Sequence, residues 1–270
     1  LSGRSSTGEP LAGVNAITTS AYCPTSKQPE LKHAAVKVLK ADMRVYTGAP
    51  AELREVAGGI EVRSGNQAVV VDQVVAAMGR TPNIEHLGLK TLGVPLNDKG
   101  LPPVDAHTMQ VGDLPIYMAG DANADRPLFH EACDEGAIAG FNAARGEQTA
   151  FMRKVALGVA FSDPDVVSVG QRFDQLPAEA VLIGSARGEG NGRSRLLGGA
   201  DGLLRVYAER GTGRLLGASM VAIGGEHLAH LLAWSIQRGE TARSLLQAPF
   251  YHPVLEELLQ SALQDIVRQQ

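Results

Sequence analysis

Ile116-Tyr117-Met118-Ala119-Gly120-Asp121, followed after a short loop by Pro127-Leu128-Phe129-His130-Glu131-Ala132, is the stretch on which the reading of this chain turns. It reads as a short apolar strand, a tight glycine turn, an acidic residue, a loop and the start of a helix. Gly120 permits the turn and lets the backbone come close to a ligand. Asp121 is then expected at the C-terminal end of a strand, where open α/β sheets bind ligands. A helix opening near Leu128 aims its N-terminal amides at an anionic or electron-rich group. One strand-Gly-Asp turn is weak evidence by itself. It gains weight from Ala77-Met78-Gly79-Arg80-Thr81-Pro82-Asn83 upstream, where Pro82 biases Thr81 to an extended shape. Arg80 reads either as part of a ligand site or as a surface salt bridge.

Composition bounds the rest. A chain of 270 residues can hold more than one packed unit. Hydrophobic content of 44% with 20% charged residues describes a water-soluble globular protein. The formal net charge of -4 argues against nucleic acid or an anionic membrane as the main partner. No apolar run approaches the roughly 20 residues that span a bilayer. Nothing at the N-terminus reads as a signal peptide, and a cytoplasmic location is expected. Cys23 and Cys133 form neither a C-x-x-C nor a C-x4-C pair, so no metal site and no local redox disulfide is expected. Two reduced structural thiols are.

Outward from the central stretch, residues 1 to 30 are rich in Ser, Thr, Gly and Pro and read as loop. Arg4 reads either as a contact for an NADP 2′-phosphate at the end of a cut Rossmann strand or as a solvated loop residue. Leu31, Ala34, Ala35, Val38 and Leu39 have helical spacing. Strands are expected over 51–56, 59–63 and 68–71, joined by glycine turns as a meander. Val74-Val75-Ala76-Ala77-Met78 reads as a buried strand. The helix from Leu128 is rich in small residues and is expected to end at Arg145-Gly146. Beyond residue 155, strands over 168–170, 180–183, 203–207 and 215–221 predict an antiparallel sheet, and Gly188 to Gly192 reads as a hairpin loop. Helices over 226–238, 241–246 and 253–267 are expected on one side of it. The apolar residues Leu228 to Ala233 and Leu255 to Ala262 are expected to contribute a subunit interface.

Tyr251-His252-Pro253-Val254-Leu255-Glu256-Glu257 is the second informative stretch. Pro253 suits the first turn of a helix, where its missing N–H is no loss. His252 then stands just before the helix, and Glu257 lies where a carboxylate can hold an imidazole nitrogen. Such a pair fixes the ring tautomer and raises its basicity. The competing reading is a surface histidine, with Glu257 paired to a Lys or Arg.

Taken in order, these motifs resemble the FAD-dependent pyridine nucleotide-disulfide oxidoreductases. Ala77 to Asn83 is similar to the family's A-x-G-R-x-P-N crossing, and Ala119-Gly120-Asp121 to its A-G-D. Leu128 to Gly136 is similar to L-x-H-x-A-x-x-E-G. Phe161 to Gly170 resembles the opening of the family's dimerisation domain, and His252 to Glu257 resembles H-P-T-x-x-E, with Val254 in place of Thr. The resemblance implies that Asp121 holds the ribityl chain of FAD. It implies that Gly79, Arg80, Gly120, Leu128, Phe129, His130 and Ala132 border the flavin. By the same resemblance His252 is the acid/base for redox thiols in the other subunit of a homodimer, and Glu257 orients it.

The implied fold is α/β plus α+β. It has a partial NAD(P)-binding domain over 1–80, the C-terminal segment of an FAD domain over 81–153, and an antiparallel-sheet dimerisation domain over 154–270. The implied activity is that of the dihydrolipoamide dehydrogenases: oxidation of a dithiol, with hydride passed through FAD to NAD and a lipoyl-bearing protein as partner. Mercuric reductases end in a Cys pair that this tail lacks, and soluble transhydrogenases lack the His-Pro-x-x-x-Glu pattern. A glutathione reductase-like member stays open. So does an interaction module with no activity of its own, because the 270 residues contain no redox C-x4-C and no Gly-rich phosphate loop. For the same reason FAD is expected to bind the isolated chain weakly or not at all.

Overall fold

The computed structural model describes residues 15–18, 28–146 and 148–270. They fall into two compact units. One joins Leu1–Val74 to Val155–Gln270, and the other is Val75–Lys154. The reading of Arg4 and the thiol state of Cys23 lie outside the described residues, whereas Cys133 is a free, exposed thiol. Among the described residues no helix is long and apolar enough to cross a membrane, and no group of three His, Cys, Asp or Glu could hold a metal ion.

The larger unit opens with β1 (Asn15–Thr18), which runs parallel to β2 (Arg44–Thr47) across α1 (Pro29–Asp42). Composition reads 15–18 as loop; pairing with β2 makes it a strand, a tertiary effect that local propensity does not carry. Pro29 sits in the first turn of α1, where no amide is lost. The expected meander follows as β3 (Ala51–Val56), β4 (Gly59–Ser64) and β5 (Gln67–Val71), antiparallel in that order.

After Val155 comes a five-stranded antiparallel sheet. Its strands are β6 (Leu157–Ala160), β7 (Asp165–Gly170), β8 (Val181–Arg187), β9 (Leu203–Glu209) and β10 (Leu215–Ala222), in the order β6-β7-β10-β9-β8. Successive residues point to opposite faces. Leu204, Val206 and Ala208 of β9 and Ala218, Met220 and Ala222 of β10 line one core with α4 (Gly225–Gln237) and α6 (Glu257–Gln269). On α6 the buried residues Leu258, Leu259, Ala262, Leu263 and Ile266 recur at helical spacing. Each fully buried Leu or Ile stabilises by about 1.5–3 kcal/mol. The axis of α6 comes so close to β8 that a side chain at Gly184 would run into the Ala262 carbonyl.

The three C-terminal helices share one side of the sheet as expected, with Leu228 and Leu232 of α4, Ala242 of α5 (Ala242–Leu245) and Leu258 and Leu263 of α6 in one core, and the opposite face has a cover of its own. Leu31, Ala34 and Ala35 of α1 pack on Val166, Leu203 and Val221, which face away from the main core. The sheet is apolar on both faces over these strands, so both need cover. Leu228, Ala229, Leu232, Leu258, Leu259 and Ala262 are spent in the chain's own core, and the apolar residues left exposed on α4 are Leu231 and Trp234.

The smaller unit holds α2 (Phe129–Arg145) and a core of Ile84, Leu101, Val111 and Met118. α2 stops at Gly146, which takes the left-handed conformation at its C-cap. Two expected strands are absent here. Val74 to Met78 has no regular structure, and Val75 and Met78 are 89% and 92% exposed. Ile116 to Met118 makes a single bridge, Gln110 with Tyr117, in place of a strand. Both runs are apolar enough for a sheet, but a strand needs neighbours to satisfy its amides: Ile116 to Met118 lies alongside 109–111, with the Val111 N–H donating to Ile116 at 2.8 Å and the Met118 N–H to Met109 at 2.9 Å, over too short a length for a strand, and 74–78 has no ladder partner among the described residues.

Candidate functional site

In the smaller unit, Gly120 to Ala122 forms one 3-10 turn, so Asp121 sits on a turn and not at the end of a strand. Gly120 has φ +68, and a Cβ there would stand 3.0 Å from that of Ala132. Gly120 and Ala132 thus pack on each other and set the turn against α2. Leu128 is the extended N-cap of α2 with no side-chain cap bond, which leaves first-turn amides open to an incoming acceptor. Leu128 and Phe129 are 38% and 86% exposed, and His130 is exposed beside them. Arg80 reaches this turn: its Nη1 lies 2.6 Å from Asp121 Oδ2, and its Nη2 donates to the Pro127 carbonyl. The salt-bridge reading of Arg80 thus holds, and its partner is the candidate site residue Asp121. Gly79, with φ +92, lies exposed next to it.

Beneath the turn lies a buried charge cluster. Glu135 is fully buried, and its Oε2 accepts from the Gly120 N–H at 2.7 Å and from Asn123 Nδ2 at 2.7 Å. Arg153 Nη2 donates to Glu135 Oε1 at 2.7 Å and to Glu131 Oε2 at 2.7 Å. Arg126 adds a bond of 3.2 Å to Glu131. Burial pulls the Arg153 guanidinium down, but its bonds to Glu131 and the two carboxylate charges outweigh burial and hold it above its ordinary range. The backbone amide of Gly120 is thus fixed by a carboxylate one residue away from Asp121.

In the larger unit, His252 Nδ1 lies 2.9 Å from Glu257 Oε1. Glu257 Oε2 also accepts from the Val254 N–H at 3.1 Å. The route to this pair differs from the expected one. α6 begins at Glu257, not at Pro253, and the His252-Pro253 peptide is cis. Glu257 opens the helix and reaches back to the segment before it, much as an N-terminal carboxylate ties down free amides. The bond to His252 and then the Val254 amide hold the Glu257 carboxyl below its ordinary value. An ionised carboxylate only accepts, so Nδ1 carries the hydrogen, and in a neutral ring Nε2 is then the nitrogen that accepts. The His252 side chain is 80% exposed, and among the described residues Nε2 has no partner. Glu256 takes no part.

Several residues of these sites escape a sequence reading. Glu131 and Glu135 are one helical turn apart, in line with Ile138 and Asn142, and all four are buried. Two acids on the buried stripe of a helix are a signal that a helical wheel would have raised. Arg153 carries no such signal, because its carboxylate partners are 22 and 18 residues away in sequence.

A family model described as pyridine nucleotide-disulphide oxidoreductase matches residues 17–136. A second, described as the dimerisation domain of the same family, matches 157–263. The dihydrolipoyl dehydrogenase of Bacillus subtilis is 29% identical over 231 residues, 83% of this chain and 48% of that protein. The mitochondrial dihydrolipoyl dehydrogenase of Mus musculus is 30% identical over 207 residues, 75% of this chain and 40% of that protein. The chain therefore spans less than half the length of these curated relatives. Among solved structures, the HOCl-induced flavoprotein disulfide reductase RclA from Escherichia coli superposes with a TM-score of 0.77 at 18% identity, covering 93% of this chain and 59% of that one. LpdA from Mycobacterium tuberculosis superposes with a TM-score of 0.76 at 21% identity, covering 93% and 56%. The fold is that of the flavoprotein disulfide reductases, and the chain belongs to the pyridine nucleotide-disulfide oxidoreductase family.

Proposed function

We propose that this chain supplies the C-terminal part of a dihydrolipoamide dehydrogenase-like enzyme, in which His252 takes the proton released when a dithiol is oxidised. The observation that carries this is the His252–Glu257 pair. The ring is held through Nδ1 at 2.9 Å, and the exposed Nε2 is the nitrogen that would accept a proton in the neutral ring. Val254 in place of the motif's Thr removes a hydroxyl, while its backbone N–H still binds Glu257. The relatives' name, dihydrolipoyl dehydrogenase, favours a dihydrolipoyl substrate; NAD as acceptor and a lipoyl-bearing protein as partner belong to the same proposal.

Residues 1–80 are assigned to a partial NAD(P)-binding domain, 81–153 to an FAD-domain segment and 154–270 to a homodimer interface, with His252 of each subunit serving the other. FAD would supply the hydride relay between dithiol and NAD. The residues present suit part of it. Asp121 keeps a partly exposed carboxylate for the ribityl hydroxyls, Gly120 packs its turn against Ala132 of α2, and Leu128 and Phe129 offer apolar cover. Arg80, paired with Asp121, partly neutralises it.

The test joins this chain to a family N-terminal half that carries the redox disulfide and the FAD phosphate loop. His252→Gln is expected to slow dihydrolipoamide oxidation by about 10²-fold or more. An unchanged rate refutes the assignment. A second reading, a dimerising module without activity, is favoured by one fact: these 270 residues hold no C-x4-C pair. A chain that is dimeric, colourless after dialysis against FAD and inactive in the hybrid would support it.

A further inference from the structure

We propose that Asn191 is a positioning residue for His252, acting across 63 residues of sequence through the two peptide groups that flank Val254. The inference rests on the reading of His252 as the proton acceptor. Asn191 is 4% exposed and lies in the connection from β8 to β9. Both ends of its side chain are used. Its Oδ1 accepts from the Ser194 N–H at 2.7 Å and caps α3 (Gly192–Leu196). Its Nδ2 donates to the Val254 carbonyl at 3.0 Å. The Val254 N–H in turn donates to Glu257 Oε2 at 3.1 Å, and Glu257 Oε1 accepts from His252 Nδ1 at 2.9 Å. One carboxylate and one amide thus grip Val254 from its two sides, and the same carboxylate holds the imidazole.

The grip has a rigid base. The Asn191 N–H donates to the Gly188 carbonyl at 3.0 Å, the Gly188 N–H donates to Gly202 at 2.9 Å, and Ser194 Oγ donates to Gly199 at 2.8 Å. A Cβ on Gly188 would run into the Gly199 carbonyl, so the connection folds tightly on itself between two paired strands. His252, by contrast, is exposed and stands in a segment with no helix or strand. Such a ring samples several orientations unless its backbone is held. Among the described residues the side-chain bonds to 252–254 come from Glu257 and Asn191 alone.

The bland alternative is that Asn191 only caps α3. Serine separates the two accounts, because its oxygen still accepts from Ser194 as an N-cap while the donor to Val254 is gone. In the 270-residue chain, Asn191→Ser is expected to speed amide exchange at Val254 by about fivefold to tenfold, the effect of one lost hydrogen bond. The Ser194 amide is expected to stay within about twofold, as its cap remains. The His252 ring nitrogen signals should move from a single Nδ1–H tautomer toward the mixture of a free imidazole. Asn191→Asp keeps both the shape and the cap acceptor, and places a carboxylate oxygen against the Val254 carbonyl. It should move the same signals further, and serves if the serine variant does not fold. His252 signals unmoved in whichever of these variants folds would overturn the proposal. If they move but His252→Gln leaves dithiol oxidation unchanged in the hybrid, the proton-acceptor reading fails while the clamp on the ring stands.

Discussion

Removing Arg153 should nearly unfold the smaller unit. Its guanidinium is the shared partner of two carboxylates that water cannot reach: the Glu131 and Glu135 side chains are 3% and 0% exposed, and that of Arg153 is 9%. In Arg153→Met the stem volume stays and the charge goes. Glu135 keeps its bonds to Gly120 and Asn123, and Glu131 keeps Arg126 at 3.2 Å. Among the described residues Glu131 would then have Arg126 alone, and the buried Glu135 carboxylate one helical turn away would have no cation. Breaking a buried ion pair from one side costs about 3–5 kcal/mol, since the charge left behind is not resolvated. Residues 75–154 as a unit hold roughly 4–12 kcal/mol at typical per-residue stabilities. The change therefore takes a large share of the whole. With a urea m-value of about 1 kcal/mol/M for a unit this small, its unfolding midpoint should fall by about 3 M or more. Amide exchange at Gly120 and Ile138 during a urea titration reads this unit separately from the sheet. Adding Glu131→Gln and Glu135→Gln should recover most of the loss, because the uncompensated charges are then gone. A loss under about 1 kcal/mol, the range of exposed pairs, would refute the argument, and so would a loss the Gln changes leave untouched.

Three further outcomes follow from named contacts. Gly120→Ala forces a side chain into φ +68 and to 3.0 Å from the Ala132 Cβ; about 1–2 kcal/mol of destabilisation is expected in a thermal melt, and an unchanged Tm would remove the packing role given to this pair. The Glu257 carboxyl is lowered from 4.5, first by His252 and then by the Val254 amide. Its contribution is therefore complete above the unfolded value and fades as pH falls through the lower folded value, so a carbon-detected titration that places it at or above 4.5 would contradict the pair. Trp234, the single tryptophan, is 59% exposed on α4 near Leu231; if residues 154–270 dimerise, its emission should shift to the blue between nanomolar and tens of micromolar protein, and Trp234→Glu should abolish the shift.

Much of the fold can be read from local pattern, and its failures share one cause. The meander over 51–71 and the strands of the second sheet declare themselves through alternation and glycine turns, and both α2 and α4 through helical spacing. Val74 to Met78, Ile116 to Met118 and Asn15 to Thr18 fail in opposite directions. Two apolar runs that look like strands stay irregular, and a polar run that looks like loop is paired. For 74–78 and 15–18 the deciding fact is whether a neighbouring strand stands alongside, and for 116–118 it is how far the pairing with 109–111 runs. That is a long-range property, and a local window of residues does not contain it. The covered second face of the sheet is similar: the alternate apolar residues Val166, Leu203 and Val221 are plain in the sequence, but nothing local says that α1 is their cover.

The site residues divide along the same line. His252 and Glu257 are legible because both groups and the turn between them lie within six residues, so geometry alone restricts their distance. The sequence still misplaces the reason. Pro253 is expected to start the helix, yet α6 starts at Glu257, and the pair forms because the first residue of a helix reaches back over the preceding turn. Asp121 is legible as a residue but not as a geometry, for what fixes its turn is the Glu135 carboxylate under Gly120, held in turn by Arg153 from 18 positions further along. Residues that would touch a ligand are exposed, polar and placed in recognisable spacings. Residues that hold them still are buried, and they are chosen by partners the chain brings together only on folding. A reading of motifs therefore finds the first group and passes over Glu135, Arg153 and Asn191, each of which bonds the backbone beside a candidate site residue or the side chain that does so.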